Sequence, residues 1–246
     1  MPLWAVLVWL AVWQLAAMWV DAPILLASPA AALKRLFELV FEGAFWQAVG
    51  FTVSRILLGF ALSALLGVAL AAAAYRFRRV RELLMPLVAA VKAVPVASFV
   101  ILMLLWVSSR NLSVVISLLI GFPVVYANAL AGLDSTDPQL IEMARVFRVP
   151  FRRQLGTVYL SQVAPFLRSG LGLAVGLCWK SGVAAEVIGI PSGSIGEKLY
   201  KAKIYLETPD LFCWTVTVVL VSVACERLLA LALDFVERRA CECWKR

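Results

Sequence analysis

The stretch Ile56–Tyr75, ILLGFALSALLGVALAAAAY, carries no charge and lies between Arg55 and Arg76. About 20 apolar residues in a helix cover the hydrocarbon core of a bilayer. The stretch therefore reads as a transmembrane helix, and the rest of the chain repeats the pattern. Residues 1–20 are uncharged up to Asp21, and Asn111 to Leu133 is a third clean run. Three further runs are apolar apart from isolated charges. Leu83 to Ser109 holds Lys92, with Pro86 and Pro95 inside it. Ser169 to Ile190 holds Lys180 and Glu186, and Leu211 to Leu233 holds Glu226 and Arg227 near its end. Six spans are expected, at approximately 3–20, 56–75, 83–107, 111–133, 167–190 and 211–233. The first run lacks a basic start and is too long for a signal-peptide core, so it reads as a permanent span.

Composition agrees. Of 246 residues, 63% are hydrophobic and 15% charged, whereas a soluble domain is about half apolar and about a quarter charged. That excludes a disordered chain, a fibrous protein and a disulfide scaffold, and it argues against a cytosolic enzyme. The fold class expected is all-α, a polytopic membrane protein forming a single transmembrane domain over 1–246. The formal charge is +8. In a soluble protein such an excess would suggest nucleic acid. In a six-span chain it reflects cations in cytoplasmic loops, and no nucleic-acid partner is expected. With the N-terminus inside, the inner segments 76–82, 134–167 and 234–246 hold four Lys or Arg each, twelve together. The outer segments 21–50, 107–112 and 191–210 hold six. Both termini are therefore expected in the cytoplasm.

Histidine is absent. This removes a Ser-His pair, an HExxH metalloprotease and any histidine proton relay. The cysteines, Cys178, Cys213, Cys225, Cys241 and Cys243, form no CxxC. They read as apolar fillers and two tail thiols, and no metal site is expected. No catalytic residue is expected either. The chain has no GxxxxGK[ST] loop to cradle a phosphate.

Two connecting pieces carry their own signals. Ser28-Pro29 is a helix cap followed by a first-turn proline. Leu33, Leu36, Phe37, Val40 and Phe41 then repeat at helical spacing opposite Lys34, Arg35, Glu38 and Glu42, until Gly43. This predicts an amphipathic helix on the membrane surface or on the bundle. The segment 134–165 is too polar for a span. Asp137-Pro138 caps a helix with Leu140, Ala144 and Phe147 on one face, and Pro150 stops it. Phe151 to Leu160 can form a second helix. A charged helix-turn-helix protrusion is expected, suited to docking on another protein or to folding back as a lid.

At this point a resemblance appears. EMARVFRVPFRRQLGTVYLSQVAPFL, 142–167, resembles the cytoplasmic "EAA" loop of binding-protein-dependent ABC importer permeases of the nitrate/sulfonate/taurine type. LASPAAALKRLFEL, TVSRILLGFALSALLGVALAAA, AVKAVPVASFVILMLLWV, VAAEVIGIPSGSIGEKL and FVERRACECWKR resemble further stretches of that family, in order along the chain. The resemblance implies a permease subunit in a bacterial plasma (inner) membrane, with its loop inserted as a coupling helix into a separate ATPase. It implies a second permease copy, two ATPase subunits that bind ATP and Mg, and an extracytoplasmic substrate-binding protein. Glu142, Met143 and Ala144 take the "EAA" places, and Arg145, Phe147, Arg148 and Pro150 complete the coupling set. Arg148 stands where the family usually has glycine, and Ser161 where it often has proline. No cofactor is expected on this chain.

Charges inside spans are costly and face a bundle interior or a watery cavity. Lys92, Lys180 and Glu186, with the bend at Pro95, are candidate path residues. Cross-helix pairing or snorkelling would account for them equally. The second span also carries Gly59, Ser63, Gly67 and Ala71 at steps of four, and the fifth carries Gly172 and Gly176. Both are spacings that let helices approach closely. The expected function is passage of a small anion such as nitrate, a sulfonate or taurine, driven by ATP on a partner subunit. The alternative is an ATP-independent channel or secondary carrier.

Overall fold

The computed structural model describes residues 3–20, 22 and 24–244. Every regular element among them is helical. In chain order these are α1 (Leu3–Val20), α2 (Pro29–Val40), α3 (Gly43–Arg76), α4 (Arg78–Ala93), α5 (Val96–Met103) and α6 (Ser109–Asp134). Then follow α7 (Pro138–Val146), α8 (Phe151–Gln154), a π-helical turn (Leu155–Leu160), α9 (Ser161–Gly189), α10 (Ile195–Ile204) and α11 (Thr208–Trp244). The basic tail expected at 234–246 ends, at Lys245 and Arg246, outside the described residues.

The helices start where local chemistry tells them to. Ser28 Oγ accepts the Ala31 N–H at 3.2 Å and Pro29 occupies the first turn of α2. Asp137 Oδ1 accepts the Gln139 N–H at 2.8 Å ahead of α7. Each cap satisfies an amide that the helix itself cannot.

The bundle is built around α6, which packs along α3 on one side and α9 on the other. The small residues of α3 make this possible. Gly59, Ser63, Gly67 and Ala71 are all buried. A Cβ at Gly59 would collide with the Val114 carbonyl, and one at Gly67 would lie 2.9 Å from the Val125 side chain. On α9, Gly182 does the same work: a Cβ there would lie 2.7 Å from Ile56 and 2.8 Å from Ser117 Oγ. Close backbone approach of this kind drives helix association in lipid, where the hydrophobic effect offers little. The Gly172/Gly176 spacing behaves differently. A Cβ at Gly172 would meet nothing within 4 Å among the described residues, and one at Gly176 would lie 3.0 Å from the Glu226 carboxylate of α11. Gly176 thus makes room for a side chain of α11, and Gly172 does not. Gly172 opens onto a groove of about 460 Å³ between α9 and α11, lined by Arg168, Leu173, Glu226 and Leu229 among others.

Polar groups knit the same seam. Ser117 Oγ donates to the Cys178 carbonyl at 3.2 Å, and Cys178 Sγ donates to the Ser117 carbonyl at 3.1 Å. Cys178 and Cys213 are buried fillers and Cys225 is half-buried, all with free thiols. The side chains of the expected tail thiols, Cys241 and Cys243, lie outside those the structure describes. At the periphery, Arg35 of α2 forms a bidentate pair with Asp210 of α11. That hydrogen bond, ahead of one to Glu38, raises the Arg35 pKa further. Trp13 of α1 donates to the Ala27 carbonyl at 3.1 Å and stacks on Phe212.

Four helical stretches, Gly43–Arg76, Ser109–Asp134, Val158–Gly189 and Thr208–Phe235, are each long and apolar enough to cross a membrane. The pair α4 and α5 makes a fifth candidate, and Trp4–Val20 is a shorter apolar helix. Three expectations are corrected. The third span is not one kinked helix over 83–107: the chain breaks at Val94-Pro95 and turns by 102°. Pro95 has no amide to continue α4, and Val94 before it is held in the extended region (φ −80°, ψ 131°). The helix that carries the second span starts at Gly43 rather than at Ile56. A charge such as Arg55 marks the edge of the hydrocarbon, not the end of a helix, and its guanidinium lies over the Phe51 ring and bonds Asn111. On α2 the apolar stripe divides. Leu36 and Val40 pack on the core beside Leu39, while Leu33, Phe37 and Phe41 stay exposed.

Candidate functional site

Two ends of the bundle and one helix face hold the expected site residues. At one end stands the hairpin. The Asp137 N–H donates to Gln162 Oε1 at 2.9 Å, fixing the hairpin's base to the start of α9. Only nine residues are helical in α7. Ala144 is buried. Glu142, Arg145, Arg148 and Pro150 are exposed, as are Leu140, Met143, Val146 and Phe147. The expected face of Leu140, Ala144 and Phe147 is not buried as a whole: Ala144 is covered while Leu140 and Phe147 stay exposed, although Phe147 caps α7 by donating to the Met143 carbonyl. Val146 and Phe147 are 78% and 74% exposed, a cost no neighbouring side chain relieves among the described residues.

Arg148 has φ +50°. The left-handed region favours glycine, and an L-residue there costs about 1–2 kcal/mol. The turn accordingly takes the conformation that glycine at this position would favour. It is closed by the Val149 N–H donating to the Ala144 carbonyl at 2.9 Å.

The second arm of the hairpin is not a separate helix. From Phe151 the chain is helical without interruption through α8, the π turn and α9 to Gly189. Gly156 is absorbed in the wider π turn and Pro165 inside α9 forfeits only one backbone bond, so nothing stops the helix where the fifth span was expected to begin.

The path candidates separate. Lys180 is exposed on α9, on the same face as Leu173, Ala184 and Ile188. Among the described residues it has no ion pair or hydrogen bond. Lys180 stands nine residues from the Gly189 end of α9, about 14 Å along the axis, roughly half the hydrocarbon depth. Lys92 is exposed in the last turn of α4, just before the break at Pro95. Glu186 is elsewhere: it is fully buried in the seam between α3, α6 and α9. The structure thus does not bring Glu186 and Lys180 together.

Sequence reasoning missed the end of the bundle opposite the hairpin. There Thr52 Oγ1 donates to Glu186 Oε2 at 2.7 Å and accepts the Ile195 N–H at 3.0 Å. The Gly196 N–H also donates to Glu186 Oε2, at 3.4 Å. Ser194 caps α10 by accepting the Glu197 N–H, and Glu197 in return accepts the Gly193 N–H. Partial burial raises the Glu197 pKa, but Lys201 and that amide outweigh it and hold the carboxyl below its ordinary range. The capping pair, Ser194 three residues before Glu197, was legible as a helix start; Thr52 was not.

The fold is a multi-pass helical bundle with an exposed apolar hairpin at one end and, on α9, a lysine with no ion pair among the described residues. The comparisons give the class its name. The family described as "Binding-protein-dependent transport system inner membrane component" matches residues 63–240, and the chain belongs to that family. It is similar to a Bacillus subtilis (strain 168) protein named "Putative aliphatic sulfonates transport permease protein SsuC", 28% identical over 206 residues, covering 82% of this chain and 74% of that protein. It is also similar to the taurine transport system permease protein TauC of Escherichia coli (strain K12), 25% identical over 233 residues, 92% of this chain and 83% of that one. A third relative is the formylaminopyrimidine transport permease protein ThiX of Halalkalibacterium halodurans, 27% identical over 183 residues, 74% of this chain and 73% of that protein. The chain is a permease subunit of an ABC importer, a family that works with an ATPase and a substrate-binding protein.

Proposed function

We propose that this chain lines the path of a small anionic solute, of the sulfonate kind named for two relatives, and that the 138–148 segment couples it to a separate ATPase. The observation that carries the reading is the hairpin. Four apolar side chains stand exposed around Glu142 at its tip while the caps and the left-handed turn hold its backbone in one shape. A rigid apolar projection of this kind matches a groove on another protein. Glu142, Arg145 and Arg148 surround it with charge that fixes orientation. Met143, Val146 and Phe147 supply the buried contact, and Ala144 and Pro150 shape the backbone.

The cation count supports the hairpin and both termini in the cytoplasm and α10 outside. Two permease copies and two ATPases make up the assembly, with ATP and Mg held on the ATPases and an external protein delivering the solute near 191–210. Lys180, without an ion pair among the described residues, favours an anion in the path, and Lys92 beside the Pro95 break is its second candidate.

Purified complex in proteoliposomes tests this. Uptake of a labelled sulfonate such as taurine is expected only with ATP inside and binding protein outside. Uptake that persists without ATP would instead favour a channel or secondary carrier.

A further inference from the structure

The buried carboxylate of Glu186 joins three elements, and it does so without a cation. Thr52 from α3 and the Gly196 amide of α10 donate to it, and Thr52 in turn accepts the Ile195 amide of α10. The Gly196 Cα presses directly on the Glu186 backbone, so that any Cβ there would clash. One carboxylate oxygen takes all the hydrogen bonds. The other, Oε1, and the hydroxyl of Ser113 on α6 are both buried and have no hydrogen-bond partner among the described residues. A lone carboxylate in such a place costs stability unless its hydrogen bonds compensate, and an apolar residue would fill the space more cheaply. What an apolar residue could not do is satisfy the opening amides of another helix.

Glu186 also stands near one end of the helical run that starts at Phe151 beside the hairpin, on the order of 55 Å away along a helix. A displacement at the hairpin therefore reaches Glu186 through one continuous helix.

We propose that Glu186, together with Thr52, is a positioning residue that seats α10 on α9 and α3, so that movement of α9 is carried to this outer segment during transport. The proposal rests on the importer reading above, with the hairpin as the driven end.

The test uses the full complex with its ATPase and binding protein in proteoliposomes, comparing Thr52→Val, Thr52→Ser, Glu186→Ala and Glu186→Gln. Thr52→Val keeps the volume and removes the hydroxyl that both accepts and donates. It is expected to assemble at wild-type yield with basal ATP hydrolysis within about twofold, while binding-protein-dependent uptake falls about tenfold, as loss of a hydrogen bond or two would give. Glu186→Ala is expected to follow it. Thr52→Ser and Glu186→Gln, which keep an acceptor in place, are expected to recover uptake to within about threefold of wild type on the same scale. If Glu186→Ala fails to accumulate, the isosteric Thr52→Val decides alone. Uptake unchanged in Thr52→Val, or uptake and basal hydrolysis falling in parallel, overturns the proposal. A wild-type complex with no ATP-dependent uptake would refute the importer reading itself, separately from this one.

Discussion

Replacing Val146 and Phe147 together by aspartate is expected to strip the ATPase from the purified permease while leaving the permease itself intact. Both side chains are largely exposed, so within this chain their loss removes almost no buried surface. Against a partner they are worth about 1.5–3 kcal/mol each when fully buried. An aspartate in the same groove adds an unpaired charge to the loss. A total of roughly 4 kcal/mol or more corresponds to about a thousandfold weaker association. Copurification at matched expression reads the effect, and the thermal midpoint of the permease in detergent is expected to stay where it was. Replacement of Glu142 should act in the same direction and more weakly, because a rim charge sets orientation more than affinity. Undiminished recovery of the ATPase with the double variant would show that the tip is not the contact.

Lys180→Glu is expected to give the largest loss of transport among substitutions that leave assembly untouched. The residue is exposed and unpartnered among those described, so nothing in the bundle depends on its charge. At about 6 Å from a passing anion and an effective dielectric near 20, one like charge is worth about 3 kcal/mol, or roughly a hundredfold in occupancy. Lys180→Arg should retain uptake to within about threefold and Lys180→Met should fall between, because the first keeps the charge and the second only the stem. The assay is initial uptake of a labelled sulfonate with ATP in excess. Equal rates for the glutamate and lysine forms would take Lys180 off the path.

Much of this protein was legible in its sequence because membrane spans and helix caps are local. The charge-free runs, Ser28-Pro29, Asp137-Pro138 and the small-residue steps of Gly59, Ser63, Gly67 and Ala71 each report on their own helix, and the structure shows each of them. Features that depend on a distant partner were not legible. Glu186 reads as a charge inside a span, and only the fold brings Thr52, 134 residues away in sequence, against it. The 102° turn at Pro95 exceeds what a proline kink alone requires; α5 packs instead on Leu112, Ile116 and Ala185. Gly172 carries half of an association spacing yet meets no neighbour among the described residues, and Gly176 meets only a side chain of α11. The same limit explains Arg148. The residue looked like a departure that could change the loop, yet its φ of +50° shows the turn keeping the left-handed shape regardless.

The central claim is that the hairpin tip is held by a separate ATPase. Replacing Phe147 with a photo-crosslinking benzoylphenylalanine in cells that co-express the ATPase tests it most directly. Illumination is expected to shift the permease by the mass of one ATPase subunit. A crosslink formed only within the permease chain, or only to lipid, would contradict it.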